Sequence, residues 1–218
     1  SIDPSDVQEG INTVTVVAGN DTFTAAPVIT TFEAVRHNSS ITIDPISDVI
    51  AGDDVVVTGR LVDDEGNAIV GAVVNVTVDG DSQVVTTDKD GNYVASFATS
   101  DVKAELVTVS YDGNSSVNGD KESTLFNVVK ETGDVTIELP EDIVPGEAVN
   151  VTGHVDGVGE GLPVNVTING NVYNTTTDAD GNFNVSIDPS DVQEGINTVI
   201  VTAGNDTFTT VPVITSFE

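Results

Sequence analysis

The sequence predicts an all-β fold made of tandem antiparallel β-sandwiches. Apolar and polar residues alternate strictly in several stretches, which is the pattern of a half-buried strand. Asp79-Gly80 and Asn169-Gly170 directly follow two of these stretches, and such dipeptides are the strongest short-range signal of a β-hairpin. Two long segments also resemble each other, so the same architecture is expected twice.

Repeated motifs divide most of the chain into two related domains. The segment AGDDVVVTGRLVDDEGNAIVGAVVNVTVDG precedes TTDKDGNYVASF, and the segment PGEAVNVTGHVDGVGEGLPVNVTING precedes TTDADGNFNVSI. Both carry VTG, VNVT and TTDxDGN in the same order. Because such self-similarity indicates repeated structural units, we expect domain A over residues 34–129 and domain B over residues 130–218.

The alternation gives each predicted strand a buried face and a solvent face. The residues predicted to point inward are Val55, Val57, Leu61, Val74, Val76, Val78, Tyr93, Ala95 and Phe97 in A, and Val149, Val151, Val155, Val164, Val166, Ile168, Phe183, Val185 and Ile187 in B. Later strands are expected near residues 105–111 and 121–129 in A, and near 197–203 and 207–217 in B.

The number and spacing of these strands favour one class of sandwich. About seven strands per domain, with turns every eight to twelve residues and no helical period, are typical of an immunoglobulin-type fold. The chain has no cysteine and no tryptophan, so the disulfide and core tryptophan of antibody domains are missing. We therefore expect tandem immunoglobulin-like sandwiches in the wider sense of that term.

The first 33 residues repeat the last 33. Residues 1–33 and 186–218 are identical at 28 of 33 positions. Residues 1–33 thus correspond to the last three strands of domain B and form an additional C-terminal half-domain at the N-terminus. Because three strands cannot close a sandwich core, something else must cover their inward face. Either a neighbouring chain completes them, or the sequence is a section of a longer repeat.

Composition and charge exclude several classes of function. The chain has 36 acidic and 6 basic residues, a formal net charge of −30. Nucleic acid is excluded as a partner because phosphate binding needs clustered Lys and Arg. No run of about 18 apolar residues is present, so no membrane span is predicted in this segment. The acidic surface suggests surroundings rich in cations.

The quoted motifs resemble a known group of modules. The stretch GRLVDDEGNAIVGAVVNVTVDG with TTDKDGNYVASF resembles the Ig-like repeats of large bacterial and archaeal surface proteins, and VSYDGNSSVNGDKESTLFNV resembles their closing strands. Among them, the chain resembles the adhesin-like proteins of methanogenic archaea. The resemblance covers essentially the whole chain. It implies tandem sandwiches that display or extend something at the cell surface, and hence an extracellular location.

Asn-x-Ser/Thr sequons are the first candidate functional sites. The sequon asparagines are Asn20, Asn38, Asn75, Asn114, Asn150, Asn165, Asn174, Asn184 and Asn205. Several fall on the outward phase of predicted strands, where a bulky N-linked glycan fits. The alternative is that Asn and Thr are merely the polar half of an alternating strand. We expect N-linked glycans at some of these sites.

The TTDxDGN motif is a candidate cation site. Asp88 and Asp90 in A, and Asp178 and Asp180 in B, stand two residues apart like the first ligands of a calcium loop. The distal Glu of such a loop is not at its position and the Gly falls too early. A β-turn explains the same residues, because Asp favours turns and Gly supplies a positive φ. Both hypotheses, bound Ca²⁺ and a plain turn, remain open from sequence.

Catalysis has little support in the sequence. His37 lies in a predicted linker and His154 on an outward strand face, and a cysteine nucleophile is absent from the composition. A Ser-His-Asp arrangement cannot be assembled credibly from these positions. We expect no enzymatic activity.

The expected function is therefore structural. Tandem sandwiches would form a stalk or fibre on a microbial surface, with neighbouring copies of the repeat as partners. One alternative is an adhesin whose modules bind a cell-surface ligand. Another is a filament subunit in which one chain donates β-strands to the sheet edge of the next.

Overall fold

The computed structural model describes residues 2–140, 143 and 146–218. Apart from two three-residue 3-10 turns at Pro4–Asp6 and Pro189–Asp191, the regular structure of this part is all strand. The strands are β1 (Gly10–Val16), β2 (Gly19–Asn20), β3 (Phe23–Thr24), β4 (Val28–Ala34), β5 (Ser39–Ile41), β6 (Val49–Ile50), β7 (Asp54–Asp63), β8 (Val73–Val78), β9 (Asp81–Thr86), β10 (Asn92–Ala98), β11 (Ala104–Gly113), β12 (Asn118–Val129), β13 (Glu131–Gly133), β14 (Val135–Glu138), β15 (Val149–Val155), β16 (Pro163–Ile168), β17 (Asn171–Thr176), β18 (Asn182–Ile187), β19 (Asn197–Ala203), β20 (Phe208–Thr210) and β21 (Val213–Phe217).

The chain divides into two compact units. The first contains residues 1–46, 56–97 and 105–125, and the second contains residues 47–55, 98–104 and 126–218. Strands β7, β10, β11 and β12 have residues in both. These limits differ from the predicted boundaries at residues 33 and 129, which stay a prediction.

The sheets of domain A have the order β10-β7-β5 and β6-β12-β11-β8-β9. Their buried residues alternate along each strand as the sequence predicted, because successive side chains of a strand point to opposite faces. The buried apolar side chains of the first unit are Ile41, Val57, Leu61, Ala72, Val74, Val76, Val78, Tyr93, Ala95, Phe97, Val107, Val109 and Tyr111. The prediction of an antiparallel sandwich is confirmed.

Domain B repeats this architecture. A three-stranded sheet, β14-β15-β18, and a four-stranded sheet, β17-β16-β19-β21, contribute to one core. Apart from Leu162, which precedes β16, and Phe208 on β20, the buried core residues come from these two sheets; the full set is Val135, Val149, Val151, Val155, Leu162, Val164, Val166, Ile168, Phe183, Ile187, Val199, Val201, Ala203 and Phe208. Apolar burial across two facing sheets is the main source of stability in such a fold.

Both Asx-Gly hairpins form as predicted. Asp79 and Asn169 have φ of 46° and 48°, and the glycines after them have φ of 98° and 92°. Positive φ at both central residues is the mark of the type I′ turn, whose twist matches that of the flanking strands. The turns join β8 to β9 and β16 to β17.

The predicted last strand of domain B, over residues 207–217, is wrong in one respect. It is divided into β20 and β21, and Val211 and Pro212 lie between them. Proline has no N–H to donate to a ladder, so it ends the pairing there. β20 pairs in parallel with β13, whereas β21 pairs antiparallel with β19.

Residues 2–33 contain a hairpin. In the described part of the chain, β1 and β4 make a sheet of two strands, and β2 and β3 make a second pair. The hairpin has the strand register of its counterpart in B: Val14 lies opposite Thr30, as Val199 lies opposite Thr215. The predicted half-domain therefore has its hairpin but no complete sandwich of its own.

Candidate functional site

All nine sequon asparagines are exposed. They are Asn20, Asn38, Asn75, Asn114, Asn150, Asn165, Asn174, Asn184 and Asn205. Their exposure follows from strand alternation and from turn positions: Asn75, Asn150 and Asn165 each lie between two buried valines that take up the inward phase. The surface of both sandwiches can thus accept a bulky modification at these residues without disturbing the core.

Three of the sequons close tight turns. The Oδ1 atoms of Asn20, Asn114 and Asn205 accept hydrogen bonds from the backbone N–H two residues later, at 3.0, 2.8 and 2.9 Å. Asn and Asp side chains commonly form such turns. An N-linked glycan attaches to Nδ2, so the Oδ1 hydrogen bond and the modification are compatible.

Two sequons face each other across a ladder. Asn165 on β16 lies directly opposite Asn174 on β17. Directly paired residues have Cβ atoms about 4.5–5.5 Å apart, which brings the two side-chain amides close together. Glycans on both asparagines at once would therefore compete for the same space.

The TTDxDGN aspartates act as turn acceptors. Asp88 Oδ1 accepts from the N–H groups of Asp90 and Asn92 at 2.9 and 2.8 Å, and Asp178 Oδ1 accepts from Asp180 and Asn182 at 3.0 and 2.9 Å. These hydrogen bonds, the one from the Asn N–H foremost, lower the pKa of Asp88 and of Asp178.

Geometry favours the turn over the calcium loop. The second carboxylate oxygen of Asp88 accepts from the side-chain amide of Asn92 at 3.2 Å, and that of Asp178 from Asn182 at 3.3 Å. Among the described residues, no group of three or more His, Cys, Asp or Glu side chains is arranged to hold a metal ion. The hydrogen bonds explain Asp and Asn in this motif without a cation.

The Thr of the same motif has a structural role that sequence reasoning missed. Thr87 Oγ1 donates to the Ile69 carbonyl at 2.6 Å and accepts from the Ala72 N–H at 2.9 Å. Thr177 makes the equivalent contacts in B, with Gly159 at 2.6 Å and Leu162 at 3.0 Å. Both threonines are buried. Each threonine ties the preceding loop to the edge of the next strand. The repetition of TTD in both domains was the feature of the sequence that could have indicated this role.

The glycine of VTG is required by packing. A Cβ on Gly153 would lie 2.7 Å from Phe183 Cε1, and still closer to the ring Cζ and to the Thr136 carbonyl oxygen. Gly59 has the same relation to Tyr93 and Thr42 in domain A. The glycine leaves room for the tip of the aromatic ring that follows the TTDxDGN motif. Both motifs are visible in the sequence, but their contact is not.

The two histidines contact aspartates rather than a nucleophile. His37 Nδ1 lies 2.8 Å from Asp64 Oδ1, and Asp64 Oδ2 accepts from the Asn38 N–H at 3.2 Å. The hydrogen bond to Asp64 raises the pKa of His37 and lowers that of Asp64. The linker is thus anchored to the acidic loop of domain A. These residues are 27 positions apart, so no local pattern predicts the contact.

His154 is half-buried at the end of β15. Its Nδ1 lies 3.1 Å from Asn182 Oδ1, and its Nε2 lies 3.2 Å from Asp156 Oδ1. These contacts link β15 to the TTDxDGN turn. They orient the imidazole along a strand edge.

The first hairpin differs sharply from its duplicate in burial. Val16 is 56% exposed, whereas its counterpart Val201 is fully buried at 0%. Phe23 is 66% exposed and its counterpart Phe208 only 7%. One nearly identical sequence therefore occupies two environments in the same chain. The exposed copy presents an apolar sheet face to solvent.

No family model and no curated protein matches the chain. Solved structures of similar fold include three from adhesion proteins. A bacterial ice-binding adhesin is 22% identical over 97% of this chain and 74% of its own, with a TM-score of 0.38. The adhesin InvE of Yersinia pseudotuberculosis is 21% identical over 83% of this chain and 58% of its own, with a TM-score of 0.40.

The third structure is a tetra-tandem repeat from the extending region of a large adhesion protein. It is 21% identical over 99% of this chain and 57% of its own, with a TM-score of 0.41. This chain thus spans less than two thirds of the second and third structures. The assignment of the β-sandwich fold depends on the strand pairing and the shared core of the chain itself.

Proposed function

We propose that the chain is a structural module of an extracellular surface protein, in which tandem immunoglobulin-like sandwiches form a stalk or fibre. One observation carries this proposal: the VTG and TTDxDGN motifs that the two domains share have structural roles in both. Gly59 and Gly153 admit an aromatic ring, Thr87 and Thr177 tie a loop, and the aspartates close a turn. Repetition here preserves a stable folding unit, as a spacer requires.

Surface composition is consistent with a spacer rather than a binding module. Binding surfaces are enriched in exposed aromatic residues. Among the described residues, the exposed aromatic side chains are Phe23 and Phe32, both in the first hairpin. The two sandwiches expose aliphatic side chains such as Val84, Val94 and Leu125 among acidic and polar groups, but no exposed aromatic side chain among their described residues. The acidic charge keeps chains soluble and apart. No helix of the described residues is long and apolar enough to span a membrane.

Binding to source cells tests the spacer proposal against the adhesin alternative. Beads coated with the folded chain are mixed with cells of the source organism, with beads carrying heat-unfolded chain as the control. We expect equal, low binding from both. Saturable binding by the folded chain alone would favour an adhesin and contradict the spacer.

The sequons lead us to propose that the module is N-glycosylated. Their exposure supports the modification at every site, and the compact turns hold Asn20, Asn114 and Asn205 at loop tips. Glycans on an acidic surface would limit proteolysis and aggregation of an extracellular fibre. Peptide mapping of the native protein should find modified asparagines, and unmodified peptides at all nine sites would refute glycosylation without affecting the spacer role.

The facing pair makes this test more specific. Because Asn165 and Asn174 lie opposite each other, we expect molecules modified at one of them but rarely at both. Replacing Thr176 with Ala removes the Asn174 sequon and should raise occupancy at Asn165. Full occupancy at both sites in one molecule would contradict this steric argument.

A further inference from the structure

The exposed face of the first hairpin can be compared with a covered copy of itself. Residues 1–33 and 186–218 share sequence and hairpin register, with Val16 opposite Val28 as Val201 is opposite Val213. The hairpin therefore takes its native shape in both places. Only its surroundings differ.

In domain B the hairpin is covered by residues 130–185. Val199, Val201 and Phe208 belong to one core with Val151 of β15 and Val166 of β16. β16 also pairs with the outer edge of β19, with Val166 opposite Val201. The cover thus satisfies both an apolar face and a row of backbone hydrogen-bonding groups.

In the first hairpin neither the apolar face nor the outer strand edge is covered by a strand of the described residues. The described part of the chain pairs β1 with β4 alone, so the edge that corresponds to the β16-facing edge of β19 has no ladder. Ile2 is 52% exposed, whereas its counterpart Ile187 is fully buried at the end of β18. An apolar face beside a free strand edge is a template for a further strand.

We propose that the face of residues 1–33 is bound by a further segment of the 130–185 sequence, located immediately N-terminal to it in the same polypeptide. The segment would supply counterparts of β13 to β18, and its last strand would run on into Ile2 as β18 runs into Ile187. The complementary surface is already present in this chain at residues 130–185. The proposal concerns folding alone and is independent of the spacer function.

Stoichiometry distinguishes a covering segment in the same polypeptide from one that a second copy of the chain supplies. Each chain has one 130–185 segment and two hairpins that fit it, residues 1–33 and 186–218. If one chain covered the hairpin of another, it would uncover its own residues 186–218. Exchange of this segment between identical chains would therefore gain no burial, whereas an additional segment covers the hairpin outright.

The five differences between the copies are compatible with such a sandwich. Thr15, Val17, Ala26 and Thr31 correspond to positions that are exposed or half-buried in domain B. Ala25 corresponds to the buried Thr210, whose hydroxyl bonds with the backbone of Ala203 at 2.9 and 3.2 Å. Alanine is smaller, so it fits without overlap but loses these hydrogen bonds. The completed sandwich should melt below domain B.

The decisive experiment extends the full chain by placing a second copy of residues 130–185 directly before Ser1. Amide exchange measured by mass spectrometry reports on peptides that cover β1 and β4. We expect exchange there to slow by roughly a hundredfold or more, because the hairpin joins a cooperative core. Unchanged fast exchange in the extended chain would overturn the proposal.

Matched variants separate specific packing from a general effect of the added residues. Val16→Asp should abolish the protection in the extended chain and leave melting of the original chain unchanged. Val201→Asp should unfold domain B in the original chain, because its position is buried. Ala25→Thr should raise the melting temperature of the added sandwich. Protection that survives Val16→Asp would contradict the proposed packing.

The original chain tests the alternative that a second copy of the chain covers the hairpin. Exchange and molecular mass are measured over a hundredfold range of concentration. We expect monomers with a fast-exchanging hairpin throughout. Hairpin protection that rises with concentration would overturn the assignment to the same polypeptide and favour exchange of strands between chains.

Discussion

Replacement of Gly153 by alanine tests the packing explanation of the VTG motif. The new Cβ would lie 2.7 Å from Phe183 Cε1, against an optimal carbon–carbon separation of about 3.5–4.0 Å. The ring is buried and the opposing Thr136 carbonyl belongs to β14, which pairs with β15. Neither neighbour is the free end of a flexible side chain, so the overlap must be relieved by moving a strand or the ring.

The expected destabilisation follows from two opposing effects. Overpacking of a core costs about 1–3 kcal/mol. Alanine recovers roughly 0.5–1 kcal/mol, because glycine loses more backbone freedom on folding. We therefore expect a net loss of about 1–2 kcal/mol, which lowers the melting temperature of a domain of this size by roughly 5–15 °C.

Thermal unfolding followed by circular dichroism measures this loss, and amide exchange of peptides from β15 and β18 assigns it to domain B. Gly159→Ala is the matched control, since a Cβ there meets nothing within 4 Å; it should melt at or slightly above the parent temperature. Phe183→Leu should restore part of the stability lost in Gly153→Ala. If Gly153→Ala melts within about two degrees of the parent, the packing argument is wrong.

Three further predictions follow from the side-chain contacts. Asp178→Ala should lower the melting temperature of domain B because two backbone N–H groups lose their acceptor; millimolar calcium should shift the melting of parent and variant no more than magnesium does at equal ionic strength. The pKa of His37 measured by NMR should exceed 6.5, and Asp64→Asn should lower it. Because the raised pKa belongs to the folded state, the stability from this contact is complete below about pH 6.5 and is lost as pH rises through the folded pKa. Amide exchange of the linker should therefore become faster as pH rises through this range, after correction for the intrinsic pH dependence of exchange. No such change would contradict the prediction. The hydroxyl of Tyr173 donates to Asp191, and this hydrogen bond raises the pKa of Tyr173 above 10.0. The ultraviolet absorbance change on tyrosine ionisation that is lost in Tyr173→Phe should therefore occur at a higher pH than that of free tyrosine. Ionisation of Tyr173 at or below pH 10 would refute the contact.

Strand identity and face were predictable because they are local properties. Alternation with a period of two placed Val74, Val76 and Val78 in the core and left Asn75 exposed, as the structure shows. The Asn169-Gly170 dipeptide predicted its hairpin for the same reason: a type I′ turn needs residues that adopt positive φ. The exposure of the sequon asparagines followed from the same alternation.

Contacts between distant segments were not predictable in this way. The parallel pairing of β13 with β20, the His37–Asp64 contact and the ring of Phe183 over Gly153 join residues far apart in sequence. The motifs marked some of these residues by repetition but did not say what they touch. Pro212 marks the division of the last strand in the sequence, but the pairing of β20 with β13 is not revealed by alternation.

The duplicated hairpin shows separately what local sequence determines and what tertiary contacts determine. Its sequence by itself determined the antiparallel pairing of its two long strands, their register and which face is apolar, since these are the same in both copies. Tertiary structure alone decided whether that face is a core or a surface. Val201 is buried and Val16 is not, because burial depends on the sheet that packs opposite, and the second copy shares one core with residues 130–185.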